Sequence, residues 1–199
     1  MSCLVDIQKL QVRKGNKTIC QIPELQIVAG EHVGIVGGNG TGKSTLLRII
    51  GGLEDEYSGR CRIDVPSRER VYVHQSPFLF RGTTLSNVTY GLAARRLPRQ
   101  QQIDTGMQWL RRFGIDQLSK RSCRDLSGGE QRRVALARAF ALEPEILLLD
   151  EPAADLDEEG IDILCRVIEG ISGQTIVLTS PVTLPVDLHA RVYRIDGAA

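Results

Sequence analysis

No apolar run in this sequence approaches the roughly 18 residues that a membrane-crossing helix needs. The opening, MSCLVDIQKL, has no basic stretch followed by an apolar one, so no secretory leader is expected. Cysteines are few and scattered. Cys3, Cys20, Cys61, Cys123 and Cys165 are odd in number and form no C-x-x-C pair. Reduced, mostly buried thiols in a cytosolic protein are expected, in preference to a metal site. Internal repeats and low-complexity tracts are also missing. What remains is a chain of 199 residues, 42% hydrophobic. That is enough for a sizeable core in one domain, or in one domain with a subdomain inserted.

A large net charge is absent too, at +1, but the charge is unevenly spread. Residues 81–138 carry 12 basic and 4 acidic side chains, whereas residues 139–199 carry 3 basic and 12 acidic. Two readings stand side by side. These are solvated faces of opposite sign, or the basic block faces phosphates, lipid headgroups or an acidic partner.

The first thirty residues read as β. LVDIQKLQV alternates imperfectly, a turn falls at Lys14–Lys17, and TICQI and LQIV follow, predicting an antiparallel hairpin and one further strand. HVGIVG is a short apolar strand running into glycines, and TLLRIIGGL has helical spacing. RCRIDV and RVYVHQ predict two more strands. From Thr83 helical patterns dominate: TTLSNVTYGLAARR, QQIDTGMQWLRRF and GGEQRRVALARAFAL. EILLLD then reads as a parallel strand buried on both faces. EEGIDILCRVIEGI is helical, and QTIVLTS and RVYRID are strands. Strands alternating with helices predict an α/β fold. The expected organisation is a single domain, with a core of residues 1–82 and 139–199 and a helical subdomain inserted at about 83–138.

GGNGTGKST comprises Gly37, Gly38, Asn39, Gly40, Thr41, Gly42, Lys43, Ser44 and Thr45, and it satisfies G-x-x-x-x-G-K-[ST] between a strand and a helix. Glycines let successive N–H groups turn toward one anion, and the following helix adds its positive end. Lys43 is expected to meet the β- and γ-phosphates of a nucleoside triphosphate, and Ser44 to offer its hydroxyl to Mg2+. ILLLDEP ends an apolar strand in two acids at the sheet edge where ligands gather. Asp150 is expected near Mg2+, directly or through water. Glu151, one residue on, is placed to accept a proton from an attacking water. LSGGEQRRVALARA then supplies a second anion-binding helix start. One phosphate site does not need two such devices in one subunit, but two subunits arranged head to tail would.

On these motifs the chain closely resembles the ATP-binding cassette (ABC) family, as the nucleotide-binding subunit of a bacterial transporter, over nearly its whole length. The resemblance implies a P-loop NTPase core of the RecA-like type, with a parallel sheet, an N-terminal antiparallel β subdomain and an inserted helical subdomain. It implies ATP and Mg2+, with Leu126, Ser127, Gly128, Gly129 and Glu130 meeting the ATP of a second copy. It assigns Gln75 to Mg2+ and the attacking water, and makes SPFLF, with Phe78, Leu79 and Phe80, the groove where a permease docks. Packing beneath the helical subdomain is the other reading of those three residues.

The further implications concern context. Closure around two ATP molecules would drive a separate integral membrane permease at the cytoplasmic face of the inner membrane. A periplasmic binding protein is implied indirectly. An importer is expected, and LFRGTTLSNVTYGL looks most like cassettes of tungstate and molybdate type importers. No regulatory domain is expected after YRIDG, and nucleic acid is not an expected partner. The alternatives are a soluble cassette protein acting on nucleic acid or ribosomes, and a degenerate cassette that uses ATP binding as a switch.

Three positions depart from the family pattern. Where an aromatic often stacks on adenine stands Arg13, so either its guanidinium stacks there or an apolar contact suffices. PAADLD has Ala154 and Asp155 where a small hydroxyl residue and an alanine are common. Ser180 stands where a histidine usually ends the strand. Slow but non-zero hydrolysis is expected from that last change.

Overall fold

A computed structural model describes residues 2–185 and 188–195. The chain divides into two compact units. The first comprises Met1–Tyr72, Pro144–Glu151 and Ser172–Ala199, and the second Val73–Glu143 and Pro152–Ile171.

The first unit opens with β1 (Cys3–Lys14) and β2 (Lys17–Val28). TICQI and LQIV therefore belong to one long strand rather than to two. Pro23 lies inside it and has no N–H to give. It is tolerated because the sheet order β2-β1-β4, with β4 at Ser58–Ile63, leaves β2 on an edge. The imperfect alternation of β1 also has a cause. Val5 and Ile7 are buried, then Leu10 and Val12, so the inward face changes parity between them. Lys9 sits there at φ 51, and the pairing with β4 shifts register between Gln8 and Gln11. This is a β-bulge. Gly59 faces it at φ 91, where any Cβ would collide with the Lys9 carbonyl.

The second sheet of this unit contains β3 (His32–Val36), β5 (Arg70–Val73), β6 (Ile146–Leu149), β7 (Thr175–Ser180) and β8 (Arg191–Arg194), in the order β5-β6-β7-β3-β8. The pairs β6/β7, β7/β3 and β3/β8 are parallel. All four residues of β6 are buried, as a strand covered on both faces requires. Helix α1 (Lys43–Gly51) turns Leu46, Leu47, Ile49 and Ile50 into the core and stops at Gly52, whose φ of 72 forms a left-handed C-cap. β3 leads into the glycine loop, β6 into Asp150 and Glu151, and β7 ends at Ser180.

The second unit is helical: α2 (Thr84–Ala94), α3 (Arg99–Arg112), α4 (Gly128–Phe140) and α5 (Glu158–Glu169). It contains the whole of the segment expected at 83–138 and also takes in 152–171. Trp109, Phe113 and Phe140 form its aromatic centre, with ring centroids 5.4 to 6.5 Å apart. Thr83 caps α2 and Asp157 caps α5 through side-chain oxygens. Among the described residues, no helix is long and apolar enough to cross a membrane.

Candidate functional site

The glycine loop is held open by close packing. Gly42 has φ 94, and a Cβ there would lie 2.5 Å from the Cys20 Cβ and 2.7 Å from the Ile19 carbonyl oxygen. A Cβ on Gly37 would collide with the Ile195 carbonyl. Neither position admits another residue without moving backbone. Thr41 closes the turn by donating to the Gly38 carbonyl at 3.0 Å. Arg13 follows Val12, which pairs with Cys20, so the strand end carrying Arg13 reaches this corner of the first unit.

Lys43 begins α1 and is only 4% exposed. Its Nζ donates to the Gly37 and Gly38 carbonyls at 2.8 and 3.0 Å, and lies 3.8 Å from Glu151 Oε1. The buried ammonium thus stays within the loop, with a carboxylate as its counter-charge. Ser44, on the next residue of the helix, donates to Asp150 Oδ1 at 3.0 Å.

Asp150 is the hub of this cluster. The Thr179 hydroxyl donates to the same Oδ1 at 2.8 Å, and the Tyr72 hydroxyl donates to Oδ2 at 2.8 Å. Burial and the bond to Asp150 push the Tyr72 pKa far up, so Tyr72 remains a donor at any working pH. Thr179 has a second task, because its Oγ1 accepts the Glu151 N–H at 2.8 Å. Glu151 itself sits at φ 46, in the left-handed region that non-glycine residues rarely occupy. That bond from Thr179 helps hold the strained backbone and so aims the side chain.

The Ser180 carbonyl accepts from Gly37 N–H at 3.3 Å, which places the end of β7 against the phosphate loop. Its hydroxyl points elsewhere, donating to the Thr183 carbonyl at 2.9 Å. For a divalent cation the local donors are a hydroxyl and a carboxylate, both hard oxygens. Among the described residues no group of three His, Cys, Asp or Glu forms. This donor set fits Mg2+, which takes one or two protein oxygens and fills its shell with phosphate oxygens and water.

The second unit carries the other anticipated residues. Ser127 caps α4 in a reciprocal box: its Oγ accepts from Glu130 N–H at 3.3 Å, and Glu130 Oε2 accepts from Ser127 N–H at 2.7 Å. The bond from the Ser127 N–H holds the Glu130 carboxyl below the usual range. Accepting from Glu130 leaves the Ser127 hydroxyl proton available to donate outward. Leu126 is buried beneath the turn, and Gly128 has open space where a side chain would stand. Gln75 is exposed in the segment after β5, where the His74 ring nitrogen accepts the Ser76 N–H at 2.9 Å.

Phe78 is 72% exposed, Leu79 half-buried and Phe80 partly exposed. Phe78 meets Phe80 edge-on with centroids 5.7 Å apart, and Phe80 stacks on Tyr90 at 4.3 Å. The Arg138 guanidinium lies 5.2 Å from the Phe80 ring centroid and donates to the Phe78 carbonyl at 2.8 Å. The three rings make an exposed apolar surface backed by a cation.

Sequence reasoning missed Thr179, Tyr72, Tyr90 and Arg132. The signal for Thr179 was a hydroxyl inside an otherwise aliphatic strand, which burial obliges to find partners. Thr179→Val removes two of the bonds in the cluster and keeps the shape. It is expected to cost about 2 kcal/mol and to lower the melting midpoint by roughly 4–8 °C. Thr179→Ser keeps both bonds and should melt close to wild type in the same calorimetric scan. A Val variant as stable as wild type would contradict this account of Asp150.

Three comparisons bear on this geometry. The sequence profile of the ABC transporter family matches residues 20–154. The chain is 36% identical over 170 residues to the tungstate uptake system ATP-binding protein TupC of Peptoclostridium acidaminophilum, covering 82% of this chain and 79% of the relative. It is 33% identical to the nitrate import ATP-binding protein NrtD of a Synechocystis strain, over 96% of this chain and 76% of the relative. Among solved structures, cbiO1 from Clostridium perfringens, described as part of the ABC transporter complex cbiONQ, superposes with a TM-score of 0.77. That match has 28% identity and covers 90% of this chain and 79% of the other.

Proposed function

Because this chain belongs to the ABC transporter family, as one of its ATP-binding ATPase subunits, we propose that it powers a separate membrane permease of an importer by closing in pairs around Mg2+-ATP. The observation that carries the reading is the cluster in which Lys43, Ser44, Asp150 and Glu151 meet, with Thr179 tying the last two together.

In this reading Lys43 exchanges the Gly37 and Gly38 carbonyls for the β- and γ-phosphates, and the glycine-loop N–H groups cradle the chain of phosphates. Mg2+, when bound, neutralises phosphate charge beside Ser44 and Asp150, with Gln75 as a further contact. Glu151 accepts the proton of the attacking water, and the Thr179 bond at its N–H keeps its carboxylate in reach. Ser127, Gly128 and Gly129 of a second copy, arranged head to tail, meet the γ-phosphate from the other side. The capping box supports that role because it sets the turn in shape before any ligand arrives. Arg13 takes the base through its guanidinium plane.

Phe78, Leu79, Phe80 and Tyr90 form the docking surface for an apolar segment of the permease, which keeps the chain peripheral at the cytoplasmic face of the membrane. A periplasmic binding protein would deliver the cargo. The cargo is a small oxyanion of the tungstate or molybdate type, a reading that the tungstate uptake and molybdate/tungstate import relatives support. Switching without turnover finds no support, since Lys43, Asp150 and Glu151 are all in place, and only the charge of block 81–138 speaks for nucleic acid.

Uptake of tungstate and molybdate by cells lacking this chain, with and without complementation, tests the reading. Complementation with wild type should restore uptake. Phe78→Ser should leave it roughly tenfold or more lower at equal protein level, since an exposed aromatic anchor carries a large share of docking energy. Unchanged uptake of both anions on deletion would refute the cargo, and full function of Phe78→Ser would refute the docking surface.

A further inference from the structure

A single buried guanidinium in the second unit touches two other segments besides its own helix. Arg132, on the second turn of α4, is 1% exposed. It donates through one terminal nitrogen to the His74 carbonyl at 3.3 Å, in the peptide that joins His74 to Gln75. Through the other it donates to Asp155 Oδ2 at 3.4 Å. Asp155 lies in the 152–157 loop with φ 62, a left-handed conformation that Asp and Asn tolerate better than most residues. The backbone of that loop also rests on the turn that opens α4. A Cβ on Gly129 would stand 3.2 Å from the Asp155 carbonyl oxygen.

Three chain segments therefore converge on one charge. They are the segment carrying Gln75, the Ser127–Gly129 turn, and the 152–157 loop. A guanidinium buried to this degree requires a counter-charge, and Asp155 supplies it. The Asp155 side chain is itself 74% exposed, so the pair is not needed to fill the core. The acid that looked out of place in PAADLD thus has an internal partner.

We propose that Arg132 and Asp155 are positioning residues that hold these three segments as one piece. Through them, within each copy, Gln75 beside that copy's own ATP is coupled to Ser127, which meets the ATP held by the partner copy. This inference rests on the head-to-tail reading given above and adds the device that links its two halves. Its planar fork suits arginine to the task, because two nitrogens reach two acceptors at fixed geometry.

The test uses Asp155→Asn, which keeps the shape and the left-handed backbone and removes the charge. The measurement is the ATP concentration needed to dimerise the Glu151→Gln chain in size-exclusion chromatography, with and without Asp155→Asn. Binding of a fluorescent ATP analogue to the monomer is followed in parallel. Dimerisation is expected to need roughly fivefold or more ATP in the double variant, the lower end of usual coupling between sites. Monomer affinity should stay within about twofold, because the phosphate loop is untouched. Asp155→Glu restores the carboxylate and should restore dimerisation, and Arg132→Lys should not, because the fork is lost. An unchanged dimerisation midpoint in Asp155→Asn overturns the proposal. So does an equal loss of monomer affinity and melting temperature, which would make the pair a brace for the fold alone. If the Glu151→Gln parent never dimerises with ATP, the head-to-tail reading itself falls, and that outcome is seen before the Asp155 comparison is made.

Discussion

Glu151→Gln is expected to lower steady-state ATP turnover by roughly 10²- to 10⁴-fold, the usual contribution of a positioned general base. The substitution is nearly isosteric. The backbone N–H bond to Thr179 does not depend on the side chain, so the strained φ of 46 is kept and the amide stands where the carboxylate stood. What is lost is the capacity to take a proton from water. Nucleotide binding should survive, and for a stated reason. Glu151 Oε1 lies 3.8 Å from the Lys43 ammonium and competes with phosphate for it, so removing its charge frees Lys43 for the ligand. The expected result is a chain that binds ATP at least as tightly as wild type and accumulates as a closed pair. Phosphate release assays and chromatography with ATP report the two halves separately. Turnover within about fivefold of wild type would remove Glu151 from the role of base.

Ser180→His is expected to act in the opposite direction, raising turnover by up to roughly 10²-fold, the scale of one well-placed group acting on the transition state. The position is right for such a group. Ser180 ends β7 beside Val36, and its carbonyl receives the Gly37 N–H of the phosphate loop. The serine does not use that position. It is short, and its hydroxyl is engaged by the Thr183 carbonyl three residues on. An imidazole reaches several ångströms further and is able to donate to the γ-phosphate while orienting Glu151. Ser180→Ala serves as the control, since it removes only the bond to Thr183 and should leave turnover near wild type. A histidine variant no faster than wild type would show that water is already held well without an imidazole, with Thr179 and the glycine loop sufficient for the task.

The parts of this protein that were legible in the sequence are those whose cause is local. The glycine loop could be read because its conformation follows from adjacent residues: glycines directly after the end of an apolar strand and a lysine at a helix start. The buried strands Ile146–Leu149 and Thr175–Ser180 could be read because double-sided burial leaves an aliphatic run, unbroken in the first and centred on Ile176–Leu178 in the second. Helix α4 could be read from its cap, since Ser127 and Glu130 satisfy each other within one turn. Where the cause lay across the sheet, reading failed. The parity change in β1 depends on a bulge set by Gly59, some fifty residues away. TICQI and LQIV read as two strands, whereas they form one that runs through Pro23, which is possible because the sheet order puts that strand on an edge.

The sequence by itself determined that this chain has a glycine loop between a strand and a helix, a carboxylate pair at the end of a buried strand and a second glycine-bearing helix start. Each is a property of consecutive residues, and elementary sterics and hydrogen-bond capacity impose it wherever the chain goes. Only the tertiary structure decided which side chains tune those elements. Tyr72 and Thr179 reach Asp150 from 78 and 29 residues away, Arg132 reaches His74 from 58, and Ser180 turns from the site toward Thr183. No local pattern encodes these contacts, because a buried polar group takes whichever partner the packing brings within about 3 Å.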